Sequence, residues 1–207
     1  ESIDPGLSDE LKSQPYVQPA DGWKLFAPSG RSVTAHFVKK GLVATRLDFD
    51  AFLFRAVARS SAIQIFTGTA IHQVDRSSDG FSLFSTKGHF RARLVIACDG
   101  AHSIMVRHCF QRAVNPDFHS GAVRAYFTGV EQTSGSRLLE IHLIKGRLPG
   151  YFWIFPLSNG SCNVGFGMLS RDISRNRIDL KKSLLDIIQE TPALQERFRS
   201  AVMMDEI

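Results

Sequence analysis

Two short stretches of the 207-residue chain carry residue types that could do chemistry. In the first, ACDGAHS, Asp99 and Gly100 follow the apolar run 94–98. An aspartate at the carboxyl end of a buried strand lies where α/β folds bind ligands, and the glycine lets a ligand approach the backbone. A helix opening near Ser103 would offer free N–H groups to an anionic or hydroxyl-rich ligand. A helix-capping aspartate at a strand-turn-helix junction explains the same residues equally well.

The second stretch, YFWIFPLSNGSCNVGFG, places three alternate aromatic rings ahead of two glycines. Alternate side chains of a strand share a face, so Tyr151, Trp153 and Phe155 are predicted to form one wall. Such a wall suits a hydrophobic binding surface, but it also suits an ordinary sheet core. The Gly-x-Gly that follows is weak as a dinucleotide fingerprint, because a third glycine and a surrounding strand-turn-helix unit are missing.

Other candidate chemistry is sparse. His102, His108 and Cys109 lack zinc spacing, no Ser-His-Asp arrangement is evident, and no side chain is an obvious proton donor. No metal site and no catalytic residue are therefore predicted. Three scattered cysteines do not make a disulfide framework, which fits a reducing cytoplasm. The net charge is +5, but basic and acidic residues alternate along most of the chain, so no nucleic-acid partner is expected.

Hydrophobic spacing predicts the elements that must position these residues. Residues 1–21 are expected to be irregular, and residues 23–38 are predicted to form a hairpin around a Pro-Ser-Gly turn. A helix is predicted over residues 49–57, with Asp48 as its N-cap. The remaining predicted elements are strands at 63–65, 69–75, 81–83, 94–98, 122–130, 138–144, 151–157 and 161–169, and helices over 180–188 and from Thr191-Pro192 onward.

The first stretch has a wider context, RLVIACDGAHSIMVR, which resembles the DG motif of FAD-dependent enzymes related to p-hydroxybenzoate hydroxylase. The resemblance implies that Asp99, Gly100 and Ser103 bind the FAD ribose and pyrophosphate. Arg107 stands four residues after Ser103, whereas these monooxygenases commonly have their basic residue three after the serine. That departure weakens the assignment as a hydroxylase.

A second segment, ATRLDFDAFLFRAVA, is similar to the helix start at which an arginine of the same enzymes reaches the cofactor. The resemblance implies that Arg46 contacts the phosphate or ribityl region of FAD, a role that suits a permanently charged fork of donors. An ion pair of Arg46 with Asp48 or Asp50 at the helix start is the structural alternative.

The aromatic stretch, PGYFWIFPLSNGSCNVGFG, resembles the geranylgeranyl reductase family. The substrate region of that family carries Pro-x-x-Tyr-x-Trp-x-Phe-Pro, followed seven or eight residues later by Gly-x-Gly. Only the leading proline departs, by one position. The resemblance implies a hydrophobic cavity for an isoprenoid chain. Its implied substrate-binding residues are Tyr151, Trp153, Phe155, Pro156, Gly165 and Gly167.

These resemblances cover residues 43 to 167 and imply an α+β fold, in which an α/β portion of an FAD domain joins an antiparallel substrate sheet. The predicted division places a substrate-domain hairpin and an irregular N-terminal segment in 1–42. A partial FAD-binding domain follows in 43–112, and the substrate sheet with C-terminal helices occupies 113–207. Because the N-terminal Gly-x-Gly-x-x-Gly turn and the later Gly-Asp segment of such enzymes are missing, the chain is expected to be an internal fragment.

The function implied is that of an FAD-dependent oxidoreductase that reduces C=C bonds of a prenyl or other lipid-like substrate by hydride transfer. FAD is expected in the full-length protein and not in this chain alone, which would be inactive, with NAD(P)H or another reductant as electron donor. A cytoplasmic location is expected, with peripheral membrane contact left open. The alternatives are a flavin-dependent monooxygenase or halogenase, since halogenases carry a related Trp-x-Trp-x-Ile-Pro stretch, and a lipid-binding module without chemistry.

Overall fold

The structure, a computed structural model, describes residues 4–110, 115–131 and 137–204. The chain divides into two compact units, one formed by residues 1–59 with 117–207 and the other by residues 60–116. In chain order the elements are α1 (Pro5–Lys12), β1 (Gln18–Phe26), β2 (Ser32–Val43), α2 (Arg46–Ala58), β3 (Ile71–Ser77), β4 (Gly80–Ser85), β5 (Gly88–Ala92), α3 (Ile104–Phe110), β6 (Ser120–Thr128), β7 (Leu138–His142), β8 (Tyr151–Pro156), β9 (Cys162–Leu169), α4 (Ser170–Asn176), α5 (Leu180–Glu190), α6 (Pro192–Arg197) and β10 (Val202–Met203).

The larger unit is built on a seven-stranded sheet with the order β10-β6-β9-β8-β7-β1-β2. All neighbouring pairs are antiparallel except β1 with β7, which run parallel from the Gly22–Leu138 pair to the Phe26–His142 pair. The predicted hairpin is confirmed as β1 and β2, and Gly30 supplies the positive φ of +84° in its turn. The hairpin therefore belongs to the same sheet and the same unit as the C-terminal strands.

One face of this sheet packs against α5 and α6 to form the main core. The helical spacing of Leu184 and Ile187 places both side chains on the buried face of α5, and Asp179 caps the helix by accepting from the Lys182 N–H. Pro192 begins α6 directly after Thr191, as predicted. The fully or almost fully buried side chains of this core include Phe152, Ile154, Cys162, Val164, Phe166, Leu184, Ile187 and Leu194.

A charged network is buried at the edge of this core. Arg197 donates to both carboxylate oxygens of Glu140, at 2.6 and 3.2 Å, and His142 Nε2 lies 3.1 Å from the same carboxylate. Burial opposes ionisation of Glu140, but hydrogen bonds from His142 and Arg197 outweigh it and hold the pKa of Glu140 below its ordinary range. The His142 ring also stacks on Phe26, with centroids 4.2 Å apart.

Two predictions near the N-terminus need correction. The segment expected to be irregular contains α1, because Asp4 accepts from the Leu7 N–H and a proline occupies the first turn. The helix predicted after residue 48 is confirmed as α2, but its N-cap is Thr45, whose hydroxyl oxygen accepts from the Asp48 N–H at 3.1 Å. The Asp48 carboxylate instead accepts from the Thr45 hydroxyl at 2.6 Å, which holds the capping side chain in place.

The smaller unit contains an antiparallel meander, the sheet β3-β4-β5, which includes the strands predicted at 69–75 and 81–83 and is followed by α3. The strands predicted at 63–65 and 94–98 are wrong, since both segments are irregular. Leu94 and Ile96 are 75% and 80% exposed, and no described strand lies beside them to accept their backbone hydrogen bonds. In the part of the chain that the structure describes, every helix is too short or too polar to span a lipid bilayer.

Candidate functional site

The aromatic residues of β8 divide between the two faces of the large sheet. Phe152 and Ile154 are buried in the core beneath α5 and α6. Tyr151, Trp153 and Phe155 lie on the opposite face, which we call the ring face, with centroid separations of 5.8 and 6.2 Å along the row. Tyr151 is 45% exposed and the other two rings are half-buried. The predicted common face is therefore present, and its rings are outside the main core.

Gly165 pairs with Trp153 across the β8–β9 ladder and is almost covered by it. A Cβ placed on Gly165 would overlap the indole ring, so the missing side chain leaves the space that the ring occupies. The indole Nε1–H donates to Asn163 Oδ1 at 3.1 Å, which holds the ring over the glycine. Gly165 thus has a structural purpose that does not require a ligand, and a contact with flavin or substrate stays a prediction.

The other two substrate-site candidates, Gly167 and Pro156, lie on opposite faces of the sheet. Gly167 pairs with Tyr151, and a Cβ on it would come within 2.9 Å of the Ala122 Cβ on the neighbouring strand. Pro156 is buried and pairs with Cys162, a core residue, so it lies on the face opposite the rings. The structure therefore brings together the three rings and the two glycines, and places Pro156 behind them.

Residues of β6 on the ring face were missed by the sequence analysis. Ala122, Arg124 and Tyr126 alternate along β6 and lie on the ring face. Ala122 pairs with Gly167, and Arg124 pairs with Gly165. The Arg124 guanidinium lies 4.6 Å from the centroid of the Tyr126 ring, in a cation–π contact. The alternation in AVRAYFT is the signal that could have identified them.

Arg46 begins α2 beside Tyr126. Its backbone N–H donates weakly to the Tyr126 hydroxyl at 3.4 Å, which ties the helix start to this end of the sheet. Its guanidinium forms an exposed ion pair with Asp50, at 2.7 Å between Nε and Oδ2. The ion pair with Asp50, which is the structural alternative to a cofactor contact, is therefore present. A role of Arg46 toward a cofactor remains a prediction.

The Asp-Gly turn of the smaller unit lies just before α3. Asp99 Oδ2 accepts from the Ile104 N–H at 2.7 Å, and the buried Ser103 Oγ accepts from the Val106 N–H at 3.1 Å. Hydrogen bonding from the Ser103 side chain, and then from backbone N–H groups, holds the pKa of the exposed Asp99 below its ordinary range. Gly100 has φ +77°, and a Cβ on it would meet no atom within 4 Å.

This turn lines a cavity of about 420 Å³ together with apolar side chains that include Val95 and Phe110. Asp99 therefore caps the helix and still faces open space with an ionised carboxylate. The three predicted residues of the turn, Asp99, Gly100 and Ser103, are brought together.

Curated relatives of the chain are lipid and quinone reductases, and no protein-family model matches it. The chain is 27% identical over 204 residues to digeranylgeranylglycerophospholipid reductase 1 of Methanosphaera stadtmanae, a match that covers 91% of this chain and 49% of the relative. It is 34% identical over 151 residues to a menaquinone reductase of Mycobacterium tuberculosis, covering 70% of this chain and 36% of the relative. The chain thus spans about half the length, or less, of these relatives.

Solved structures share the fold. A geranylgeranyl bacteriochlorophyll reductase-like protein from Thermoplasma acidophilum matches 98% of this chain and 53% of its own, with a TM-score of 0.76 and 21% identity. The flavin-dependent brominase Bmp2 matches 97% of this chain and 52% of its own, with a TM-score of 0.73 and 15% identity. At these identities the likeness shows the fold alone. The predicted α+β fold is confirmed, and the curated relatives confirm the resemblance to the geranylgeranyl reductase family.

Proposed function

We propose that this homologue of the geranylgeranyl reductases is part of an FAD-dependent oxidoreductase that reduces C=C bonds of an isoprenoid lipid. The observation that carries the proposal is the ring face, because three adjacent rings lie outside the core on a strand whose opposite side chains are fully buried. A long hydrocarbon chain that packs against this row of half-buried rings would be removed from water, which favours binding. The relatives named for reduction of an isoprenoid phospholipid or of menaquinone support the same substrate type.

The Asp-Gly turn fits the cofactor that this proposal requires. The Asp99 carboxylate can accept from a ribose hydroxyl, and the open space over Gly100 lets a ribose or pyrophosphate group approach the backbone. Arg46 is a second candidate, once its guanidinium exchanges Asp50 for a phosphate. FAD, reduced by NAD(P)H or another donor, would supply the hydride. The described residues would bind and orient the lipid and exclude water from it.

Bound flavin is the first test. The full-length protein should purify with, or bind, one FAD, and under anaerobic reducing conditions it should add two hydrogens per reduced double bond to a geranylgeranyl lipid, measured by mass spectrometry. Protein without flavin but with lipid affinity would support the non-catalytic lipid-binding module instead. Oxygen-dependent hydroxylation or halide incorporation without alkene reduction would support the monooxygenase or halogenase alternative.

Replacing Trp153 with alanine should weaken lipid binding roughly tenfold or more while FAD content stays near the wild-type level. The reason is that the variant loses the middle ring of the wall, and each 100 Å² of apolar contact contributes roughly 2.5 kcal/mol. The measurement is a lipid titration of the full-length protein. Phe26→Ala is the matched control, because Phe26 is a half-buried ring stacked on His142 on the other face of the sheet. Equal losses of lipid affinity in both variants would contradict a substrate role for the ring face.

Replacing Asp99 with alanine should lower FAD affinity by about ten- to a hundredfold, because a charged acceptor for the cofactor is lost. Asp99→Asn keeps an oxygen that can accept from the Ile104 N–H, so it separates helix capping from cofactor binding. Both variants should titrate weakly with FAD, with Asp99→Asn retaining the thermal stability of the wild type. Asp79→Ala, an exposed aspartate of the same unit, serves as the control. Unchanged FAD titration in Asp99→Ala would remove the turn from the proposed site.

A further inference from the structure

We propose that the large sheet has a second binding site on the face that packs against α5 and α6, opposite the ring face, and that this site takes a small carboxylic acid with an apolar body. The site is a cavity of about 440 Å³ with the His142 ring in its wall, which we call the His142 cavity. It shares no residue with the ring face or with the Asp-Gly turn, and it does not depend on the function proposed above. Its size, its buried histidine and its charges carry the inference.

The His142 cavity lies where the β1–β2 turn, the β7–β8 connection and the helices α5 and α6 meet, entirely within the larger unit. Its apolar lining includes Phe26, Leu143, Ile144, Ile187, Pro192 and Leu194. Pockets for small molecules commonly have volumes of roughly 300–1,000 Å³ and are mostly apolar, with a few polar groups that orient the ligand. The size and the lining therefore suit a small ligand with an apolar body.

His142 is the buried polar group of this cavity. The residue is 7% exposed, and its ring packs between Phe26 and Phe152, with centroid separations of 4.2 and 5.9 Å. Nε2 lies 3.1 Å from Glu140 Oε2, whereas Nδ1 has no hydrogen-bond partner among the described residues and is not enclosed by protein atoms. Because His142 lines the cavity, Nδ1 is the atom that faces it. A nitrogen so placed is available to a ligand and to little else.

Glu140 determines which nitrogen of the ring carries a hydrogen. His142 and Arg197 hold Glu140 ionised, so its carboxylate only accepts hydrogen bonds and Nε2 is the donor. The neutral ring then has an acceptor at Nδ1, whereas the protonated ring has a second donor there. A ligand carboxylate stabilises the protonated ring, so its binding is coupled to uptake of one proton from the solvent.

The charges around the ring favour an anionic ligand. Lys145 is exposed and lines the cavity, and in the part of the chain that the structure describes no carboxylate forms an ion pair with it. The charged groups near the ring are four cations and three carboxylates, namely Lys24, Lys145, Arg147, Arg197, Glu140, Asp186 and Glu190. A ligand carboxylate reduces this positive surplus. Its two oxygens also match two donors, His142 Nδ1–H and the Lys145 ammonium, whereas a third phosphate oxygen would have no donor from this pair.

Calorimetric titration of the full-length, FAD-loaded protein tests the site. The probes are octanoate, octanol and octyl phosphate, which have the same alkyl chain length class and differ in their polar end. His142→Gln removes the buried donor, Lys145→Gln removes the exposed donor, and Ala193→Phe fills the cavity from its lining. Lys39→Gln is the matched control for Lys145→Gln, because Lys39 is also exposed and lies on β2, outside the lining. Trp153→Ala tests whether octanoate binds to the ring face instead.

We expect octanoate to bind at one site, with octanol and octyl phosphate weaker by about tenfold. Its affinity should fall about fivefold or more from pH 6 to pH 8, because the neutral ring donates only to Glu140. His142→Gln should weaken octanoate about tenfold and remove this pH dependence, since a glutamine amide can still donate to Glu140 but the second donor is lost. Lys145→Gln should weaken it about threefold. Ala193→Phe should abolish binding, and Lys39→Gln and Trp153→Ala should leave it unchanged.

Absence of octanoate binding, equal affinity for octanol, or an affinity independent of pH would overturn the site, and tighter binding of octyl phosphate would overturn the ligand class. Loss of octanoate affinity in Trp153→Ala, or displacement of octanoate by a geranylgeranyl lipid, would place the probe on the ring face and overturn a second site. If His142→Gln melts too low to be titrated, Lys145→Gln and Ala193→Phe decide, and unchanged affinity in both overturns the proposal. Reduction of a geranylgeranyl lipid by the wild type is a separate measurement, so failure of the proposed function is distinguishable from failure of this site.

Discussion

Replacing Phe152 with alanine is expected to lower the free energy of unfolding by about 3 to 5 kcal/mol, the range for truncation of a fully buried aromatic ring. Phe152 is completely buried and makes edge contacts with Phe198, at 6.4 Å, and His142, at 5.9 Å. The core beneath α5 cannot collapse fully around the missing ring, so a cavity remains. Chemical denaturation of the wild type and the variant gives the difference directly.

The matched comparison is Trp153→Ala, one residue further along β8. Because this ring is half-buried on the other face, its truncation should cost about 1 to 2 kcal/mol, in proportion to the smaller apolar area that it removes from water. Phe155→Ala should behave like Trp153→Ala. If Trp153→Ala were as destabilising as Phe152→Ala, the ring row would be core packing, and the functional proposal would then depend on the Asp-Gly turn alone.

The second large effect is expected from Arg197→Leu, which should reduce stability by about 3 to 5 kcal/mol at neutral pH, as removal of one partner from a buried ion pair commonly does. Glu140 is 6% exposed and would keep its charge with only His142 beside it. Arg197 also donates to the Glu131 carbonyl at 2.7 Å, a bond that leucine cannot replace. Thermal and chemical unfolding at pH 7 measure the loss.

Measuring stability at low pH distinguishes loss of the Glu140–Arg197 ion pair from simple loss of packing. The pKa of Glu140 lies below its ordinary range in the folded protein, so its stabilising contribution is present above the ordinary pKa and is lost as the pH falls through the folded pKa. Wild-type stability should therefore decline below about pH 4. In Arg197→Leu the unpaired carboxyl can be protonated at higher pH, so the stability gap to the wild type should narrow as the pH falls.

The double variant Arg197→Leu with Glu140→Gln tests the same point at constant pH. With the carboxylate charge removed, part of the lost stability should return, because the largest cost in Arg197→Leu is an uncompensated buried charge. A gap to the wild type that is independent of pH and unchanged in the double variant would show that Arg197 contributes only packing.

Features that depend on residues close in the chain could be predicted from the sequence. The alternation of apolar residues in β8 correctly predicted that Tyr151, Trp153 and Phe155 share a face, because the side-chain period of a strand is two whatever lies beside it. The hairpin turn at Gly30, the meander β3-β4-β5 and the start of α6 at Pro192 follow from local preferences in the same way. The motifs also correctly indicated a resemblance to the geranylgeranyl reductases, since a digeranylgeranylglycerophospholipid reductase is 27% identical over 204 residues.

The tertiary structure determines what each face of a strand packs against. A run such as 94–98 can be apolar enough for a buried strand, but a strand forms only where a neighbour accepts its backbone hydrogen bonds, and the sequence of the run carries no information about that neighbour. The ion pair of Glu140 with Arg197 joins residues 57 positions apart, and the row of Arg124, Gly165 and Trp153 joins three separate strands. Local spacing determines where side chains point, whereas the pairing of distant strands determines what they contact, and the candidate site depends on both.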